Sequence, residues 1–122
     1  MDMKKILVPC DFSNAAVHAF RFACEIAAVS KGEVFLLNIV ELPGLHHSLF
    51  VPVQAYEKAF LKGIKDKANK NFEKIMDKWG AKIRIHLSVE QGSVAEAIRK
   101  FADKKRVDLI VMGTHGSSGF RE

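Results

Sequence analysis

The sequence has 122 residues, enough for one domain with a substantial core, and its 48% hydrophobic and 27% charged content is that of an ordinary globular chain. No apolar run approaches the roughly 18 residues of a membrane span, and Met1-Asp2-Met3-Lys4-Lys5 does not open a secretory signal, so a cytoplasmic address without membrane contact is expected. The net charge of +5 raises nucleic acid as a partner, but much of the excess (Lys58, Lys62, Lys65, Lys67, Lys70, Lys74 and Lys78) is interleaved with Asp66, Glu73 and Asp77 and lacks an aromatic platform, so it reads as a solvated helix face and no nucleic-acid partner is expected.

Ile6-Leu7-Val8 predicts a first buried strand, closed by Pro9. A helical pattern follows to about Ser30, with Ala16, Phe20, Ala23 and Ala27 on one face and Ser13 as N-cap. Gly32 ends that unit. Val34 to Val40 is a second apolar strand, interrupted only by Asn38. Residues 41–52, with Pro43, Gly44 and Pro52, read as a loop. Val53, Tyr56, Phe60, Ile64, Ala68, Phe72, Ile75 and Trp79 then recur every three or four positions, which predicts one long amphipathic helix stopped by Gly80.

The period changes next. Ile83, Ile85, Leu87 and Val89 alternate with Arg84, His86 and Ser88, so this strand has one wet face and belongs at a sheet edge. Ser93 and Glu96 have capping-box spacing at the start of a third helix whose apolar face is Val94, Ala95, Ile98, Phe101 and Ala102. Asp108 leads into Leu109-Ile110-Val111-Met112, an unbroken apolar run that suits a strand buried on both faces.

The order β-α-β-α-β-α-β calls for right-handed crossovers and an open parallel sheet, an α/β fold of the Rossmann-like kind. A peripheral third strand fits the order 3-2-1-4, in which ligands sit between the carboxyl ends of strands 1 and 4. Pro9-Cys10-Asp11 and Gly113-Thr114-His115-Gly116 are therefore expected to meet. The sequence reaches Glu122 before a fourth crossover helix, so a fifth strand or a partner is expected to cover the fourth strand's edge.

Gly113, Gly116 and Gly119, spaced by three and joined by Ser117 and Ser118, suit a loop that wraps phosphates with backbone N–H groups; a ligand-free tight turn is the competing reading. No Walker lysine accompanies them. Asp11 would meet ribose hydroxyls or a Mg2+ ion on the phosphates, or else bond its own backbone in a turn. His115 lies inside the glycine loop, where its ring would contact a phosphate or base. His18, His46, His47 and His86 read as surface residues without zinc-ligand spacing. Cys10 and Cys24 make neither a disulfide framework nor a metal motif and read as free thiols, Cys10 as a small packing residue. Strand ends lack the clustered acids and lysine of a receiver domain.

Lys5-Ile6-Leu7-Val8-Pro9-Cys10-Asp11-Phe12-Ser13 resembles the start of universal stress protein domains. Val107 to Gly116 resembles their fourth strand and following loop, and Gln91-Gly92-Ser93-Val94-Ala95-Glu96-Ala97-Ile98 resembles a helix start of the same family. The resemblance implies a 3-2-1-4-5 sheet and a homodimer built through a fifth strand, or a second similar domain. It also implies an ATP site in which Gly113 and Gly116 are the first glycine pair of the phosphate loop. By the same likeness Asp11 meets the ribose or phosphates, and Ile39 meets the adenine. Together, the candidate nucleotide-binding residues are Pro9, Cys10, Asp11, Ile39, Met112, Gly113, His115, Gly116, Ser117, Ser118 and Gly119. The function expected is stress-response regulation through an adenine nucleotide, with weak hydrolysis at most. A dimeric interaction module without nucleotide is the alternative. An adenylating enzyme ranks third, because the S-G-G-x-D-S loop of that group is absent after the first strand.

Overall fold

The computed structural model describes residues 3–41, 53–79 and 82–113. Its elements follow the alternation read from the sequence: β1 (Lys5–Pro9), α1 (Asn14–Ser30), β2 (Glu33–Val40), α2 (Val53–Trp79), β3 (Arg84–Gln91), α3 (Val94–Lys105) and β4 (Leu109–Ile110). The four strands form one parallel sheet in the order β3-β2-β1-β4. Ile6 lies beside Val34 on one side and Leu109 on the other, which fixes the register at the centre.

Alternation along the central strands splits the core in two. Ile6, Val8, Val34 and Leu36 face α1 and α2 and pack with Ala16, Phe20, Ala23, Ala27 and Ile75. Leu7, Phe35 and Leu37 face the other way and pack with Phe101 of α3. Both central strands are thus apolar on both faces, as a covered parallel sheet requires. β3 is wet on one face, and Ile85 and Leu87 on the other pack against the first cluster.

Local signals explain the helix ends. Ser13 caps α1, its hydroxyl accepting from the Ala16 N–H at 3.2 Å. Lys31, rather than Gly32, takes the left-handed position after α1. Gly32 is needed for space: a Cβ there would lie 2.6 Å from the Lys4 carbonyl oxygen. Asp108 ties β4 to β1, its Oδ2 accepting from the Lys4 and Lys5 N–H groups at 3.0 and 2.9 Å.

Three expectations need correction. Ser93 is the N-cap of α3, but its side chain makes no cap hydrogen bond, and Glu96 lies 3.6 Å from Arg99 instead of closing a capping box. The apolar run after Asp108 is not buried on both faces: Ile110 is 40% and Met112 56% exposed, because no described element covers that face beside β1. Regular strand also ends at Ile110, although the Val111 N–H still donates to the Leu7 carbonyl at 2.9 Å. Along α2, Ala68 and Ile75 are buried as expected and the seven lysines are exposed, but Phe60 is left open to solvent. The Gly80 stop lies outside the described residues. No helix among them is long and apolar enough to cross a membrane.

Candidate functional site

The sheet order reverses between β1 and β4, and a cavity of about 230 Å3 opens at their carboxyl ends. Pro9, Cys10, Asp11, Ile39, Met112 and Gly113, six of the residues singled out in the sequence, line it together. His115, Gly116, Ser117, Ser118 and Gly119 lie outside the described residues. Four lining residues escaped the sequence reading as site residues: Ser13 and Ala16 of the α1 start, Leu37 of β2, and Val94 at the start of α3.

Each wall has a local cause. The β1 ladder runs one residue past the strand, the Cys10 N–H donating to the Leu37 carbonyl at 2.8 Å. Asn38, the one polar interruption of β2, donates from its Nδ2 to the Cys10 carbonyl at 2.9 Å and so fixes the turn that carries Asp11. A lone amide inside an apolar strand was the available signal, because a half-buried amide needs a partner. Asp11 accepts the Ser13 N–H at 2.9 Å through Oδ1, the turn role foreseen as the alternative to ligand contact. Phe12 between them sits at φ 64°, a left-handed conformation uncommon for a bulky residue. Packing of Phe12 against the first core cluster offsets that strain.

The fourth wall comes from a close approach of backbones. A Cβ at Gly113 would lie 2.4 Å from the Ala15 carbonyl oxygen, so only glycine lets the end of β4 rest on the first turn of α1. That turn contains no acidic residue of its own. The Ser13 hydroxyl takes the Ala16 N–H and the Asp11 carboxylate takes the Ser13 N–H, so the positive dipole end of α1 opens into the cavity already faced by one carboxylate. A larger cleft of about 470 Å3 lies at the opposite end of the sheet, with Lys4, Lys31, Lys82 and Arg84 at its mouth. It receives the carbonyl end of α1 and lacks the convergence of loops found at the switch point, so the smaller cavity is the candidate site.

Burial pushes the Cys10 thiol up to about 11, with the nearby Asp11 charge adding to it against a hydrogen bond from Phe12. Cys24 is raised to about 11 by burial and by Glu25. Both are therefore neutral thiols at physiological pH, poor nucleophiles in the folded chain. The unfolded thiols ionise near 9.0 and the folded ones near 11, so the folded state holds more protons between those values and stability must fall as pH rises through them. The expected loss is of order 2 kcal/mol per cysteine by pH 11. Urea melts from pH 8 to 11 check this, with a shallower decline expected for the Cys24→Ala variant.

His86, read from the sequence as a solitary surface residue, is not solitary. Its Nε2 lies 2.7 Å from Glu33 Oε1, and its ring stacks on Phe35 with centroids 4.9 Å apart. The pair braces β3 against β2 far from the cavity.

The profile of the universal stress protein family matches residues 3–122. The chain belongs to the universal stress protein family. A universal stress protein of Methanocaldococcus jannaschii is 36% identical over 121 residues, spanning 95% of this chain and 67% of that protein. A second universal stress protein of the same archaeon is 28% identical over 98% of this chain and 81% of its own length. Its solved structure superposes with a TM-score of 0.80 at 25% identity, covering 99% of this chain and 81% of the other. A universal stress protein solved in complex with cAMP shares the fold, with a TM-score of 0.61 and 22% identity over 98% of this chain and 79% of its own. These likenesses agree with the 3-2-1-4 parallel sheet found in this universal stress protein domain.

Proposed function

We propose that this protein binds an adenine nucleotide, ATP by family resemblance, in the cavity at the carboxyl ends of β1, β2 and β4, and acts as a cytoplasmic stress-response regulator. The observation that carries the reading is convergence: Asp11, Ser13 and Gly113 meet Leu37, Ile39 and Val94 around one cleft at the switch point. The apolar side chains suit a base, and the open first turn of α1 suits phosphate. That a family fold also houses cAMP in another protein supports an adenine ligand. At about 230 Å3 the cleft is smaller than the roughly 300–1,000 Å3 of drug-sized ligand sites, so it suits the nucleoside, with the phosphates reaching out past its mouth.

Asp11 is the sole carboxylate lining the cleft among the described residues, and no second acid or base stands with it. The described lining therefore offers contacts for binding, with Asp11 as its one ionisable oxygen donor set. Mg2+ would join through Asp11 and the phosphates. A homodimer or a second similar domain would cover the outer edge of β4.

Titration calorimetry with ATP and Mg2+ tests the reading. Heat of binding and a raised melting temperature are expected; neither heat nor thermal shift overturns it and leaves the fold as an interaction module. Asp11→Asn keeps an oxygen for the Ser13 N–H and removes the charge. Affinity for ATP should fall about 10-fold, the scale of one charge-assisted hydrogen bond.

A further inference from the structure

We propose that a second copy of this chain docks on the outer edge of β3, antiparallel to it, about a two-fold axis through Leu87. β3 is paired with β2 along its whole length, Arg84 beside Glu33 through Gln91 beside Val40, and no described strand pairs with its other side. An eight-residue edge leaves a row of N–H and C=O groups that another strand can take up. What distinguishes this edge is that its sequence complements itself when reversed.

In an antiparallel pair, directly opposed residues share a face, so only registers that preserve the alternation keep apolar against apolar. With Leu87 on the axis, Leu87 opposes Leu87 of the second copy, Ile85 opposes Val89, His86 opposes Ser88, and Arg84 opposes Glu90. Apolar positions meet on the side already packed against the α1 and α2 core, where Ile85 and Leu87 are only half-buried. On the other side Arg84 and Glu90 are both exposed, and neither has an ion-pair partner among the described residues. The two-fold axis gives each a partner of opposite sign, twice over. A slip of one residue would set Leu87 against Ser88 and Ile85 against Glu90, losing both the apolar row and the charge match. Centring on Ser88 would ask Glu90 to meet His86, which already holds Glu33.

The interface is isologous, as a closed two-fold pair requires. Exposed ion pairs contribute little by themselves, so the ladder and the Leu87–Ile85–Val89 row supply the association while Arg84 and Glu90 set its register. Because β3 and β4 are opposite edges of the sheet, this contact is separate from any that covers β4 and does not depend on nucleotide.

Leu87→Cys puts two thiols opposite each other on the axis, at the Cβ separation of about 4.5–5.5 Å typical of opposed residues, within reach of a disulfide after small adjustment. Mild oxidation of that variant should give a disulfide-linked dimer on a non-reducing gel, whereas the wild type, whose two cysteines are buried, should give none. Adding Glu90→Arg sets arginine against Arg84 twice and should cut the cross-linked fraction several-fold. Adding Arg84→Glu as well swaps the signs and should restore it. Independently of any cysteine, sedimentation velocity should show Glu90→Arg at lower mass than the wild type, and the Arg84→Glu/Glu90→Arg double variant back at wild-type mass, with circular dichroism unchanged. Failure of the thiols to cross-link in folded protein, or a mass and cross-link yield indifferent to the sign at position 90, overturns the proposal.

Discussion

Replacing Phe20 with alanine should cost about 3–5 kcal/mol of stability, the range for deleting a buried phenyl ring. The value belongs at the upper end because of what surrounds the ring. The other residues that α1 buries are Ala16, Ala19, Ala23, Cys24 and Ala27, so Phe20 is the one large side chain the helix buries fully, with Val17 and Ile26 only partly buried at the rim of the same cluster. It is wholly inaccessible and packs with Ile6, Val8, Val34 and Leu36, which are held in place by the strand ladders of β1 and β2. A cavity there cannot collapse by moving small neighbours inward. Since domains of this size are stable by only about 5–15 kcal/mol, a third or more of the total is at stake, and the melting temperature should drop on the order of 10–20 °C. Phe22, two residues on and 56% exposed, is the control: Phe22→Ala should fall within about 0.5 kcal/mol of wild type. Urea unfolding followed by circular dichroism measures both. A cost below about 1 kcal/mol for Phe20→Ala would contradict its place at the centre of the sheet's covered face.

That asymmetry between Phe20 and Phe22 was legible in the sequence, because a 3.6-residue period assigns one to the core stripe and the other to the outside. The same holds for β3, whose strict alternation announced an edge, and for the lysines of α2, all on its solvated side. What periodicity carries, the sequence carries. It failed where a residue's role is set by something distant along the chain. The apolar run from Leu109 to Met112 has the composition of a strand buried on both faces, yet whether Ile110 and Met112 are covered depends on elements that no local pattern describes. Asn38 and His86 are similar cases. Their partners, the Cys10 carbonyl and Glu33, lie 28 and 53 residues away and become neighbours only once the crossovers are made. At Ser93 the capping-box spacing is present but its bonds are not: the Ser93 side chain makes no cap hydrogen bond, and Glu96 lies 3.6 Å from Arg99. At the candidate site, the convergence of Pro9-Cys10-Asp11 with Gly113 followed from topology alone. The left-handed Phe12 did not, because nothing in the type of that residue calls for a positive φ.

Gly113 carries the second large effect, and its reason differs from the one its place in a glycine repeat suggests. The repeat implies backbone that approaches a phosphate, but at Gly113 the close neighbour is the chain itself. An added Cβ would meet the Ala15 carbonyl oxygen at 2.4 Å, the Ala15 carbonyl carbon at 2.5 Å and the Ala16 nitrogen at 3.0 Å. All three are backbone atoms of the first turn of α1, which no rotamer change can move aside. Gly113→Ala must therefore push the end of β4 away from α1, at an overpacking cost of about 1–3 kcal/mol. The displacement opens the cavity along the seam between Gly113 and the α1 start, where Ser13 and Ala16 form the facing wall. ATP affinity at the proposed site should fall roughly 10–100-fold, the loss of one or two charge-assisted contacts. Gly32→Ala separates this effect from simple destabilisation. Its Cβ would meet the Lys4 oxygen at 2.6 Å and the Lys4 Cα and Met3 oxygen at 2.9 Å, an equally unyielding clash at the opposite end of the sheet. Both variants should lose comparable stability in urea melts, while calorimetry finds ATP affinity reduced in Gly113→Ala alone. Equal loss of affinity in the two would mean that binding follows the stability of the whole domain, and that the approach of β4 to α1 does not shape the site.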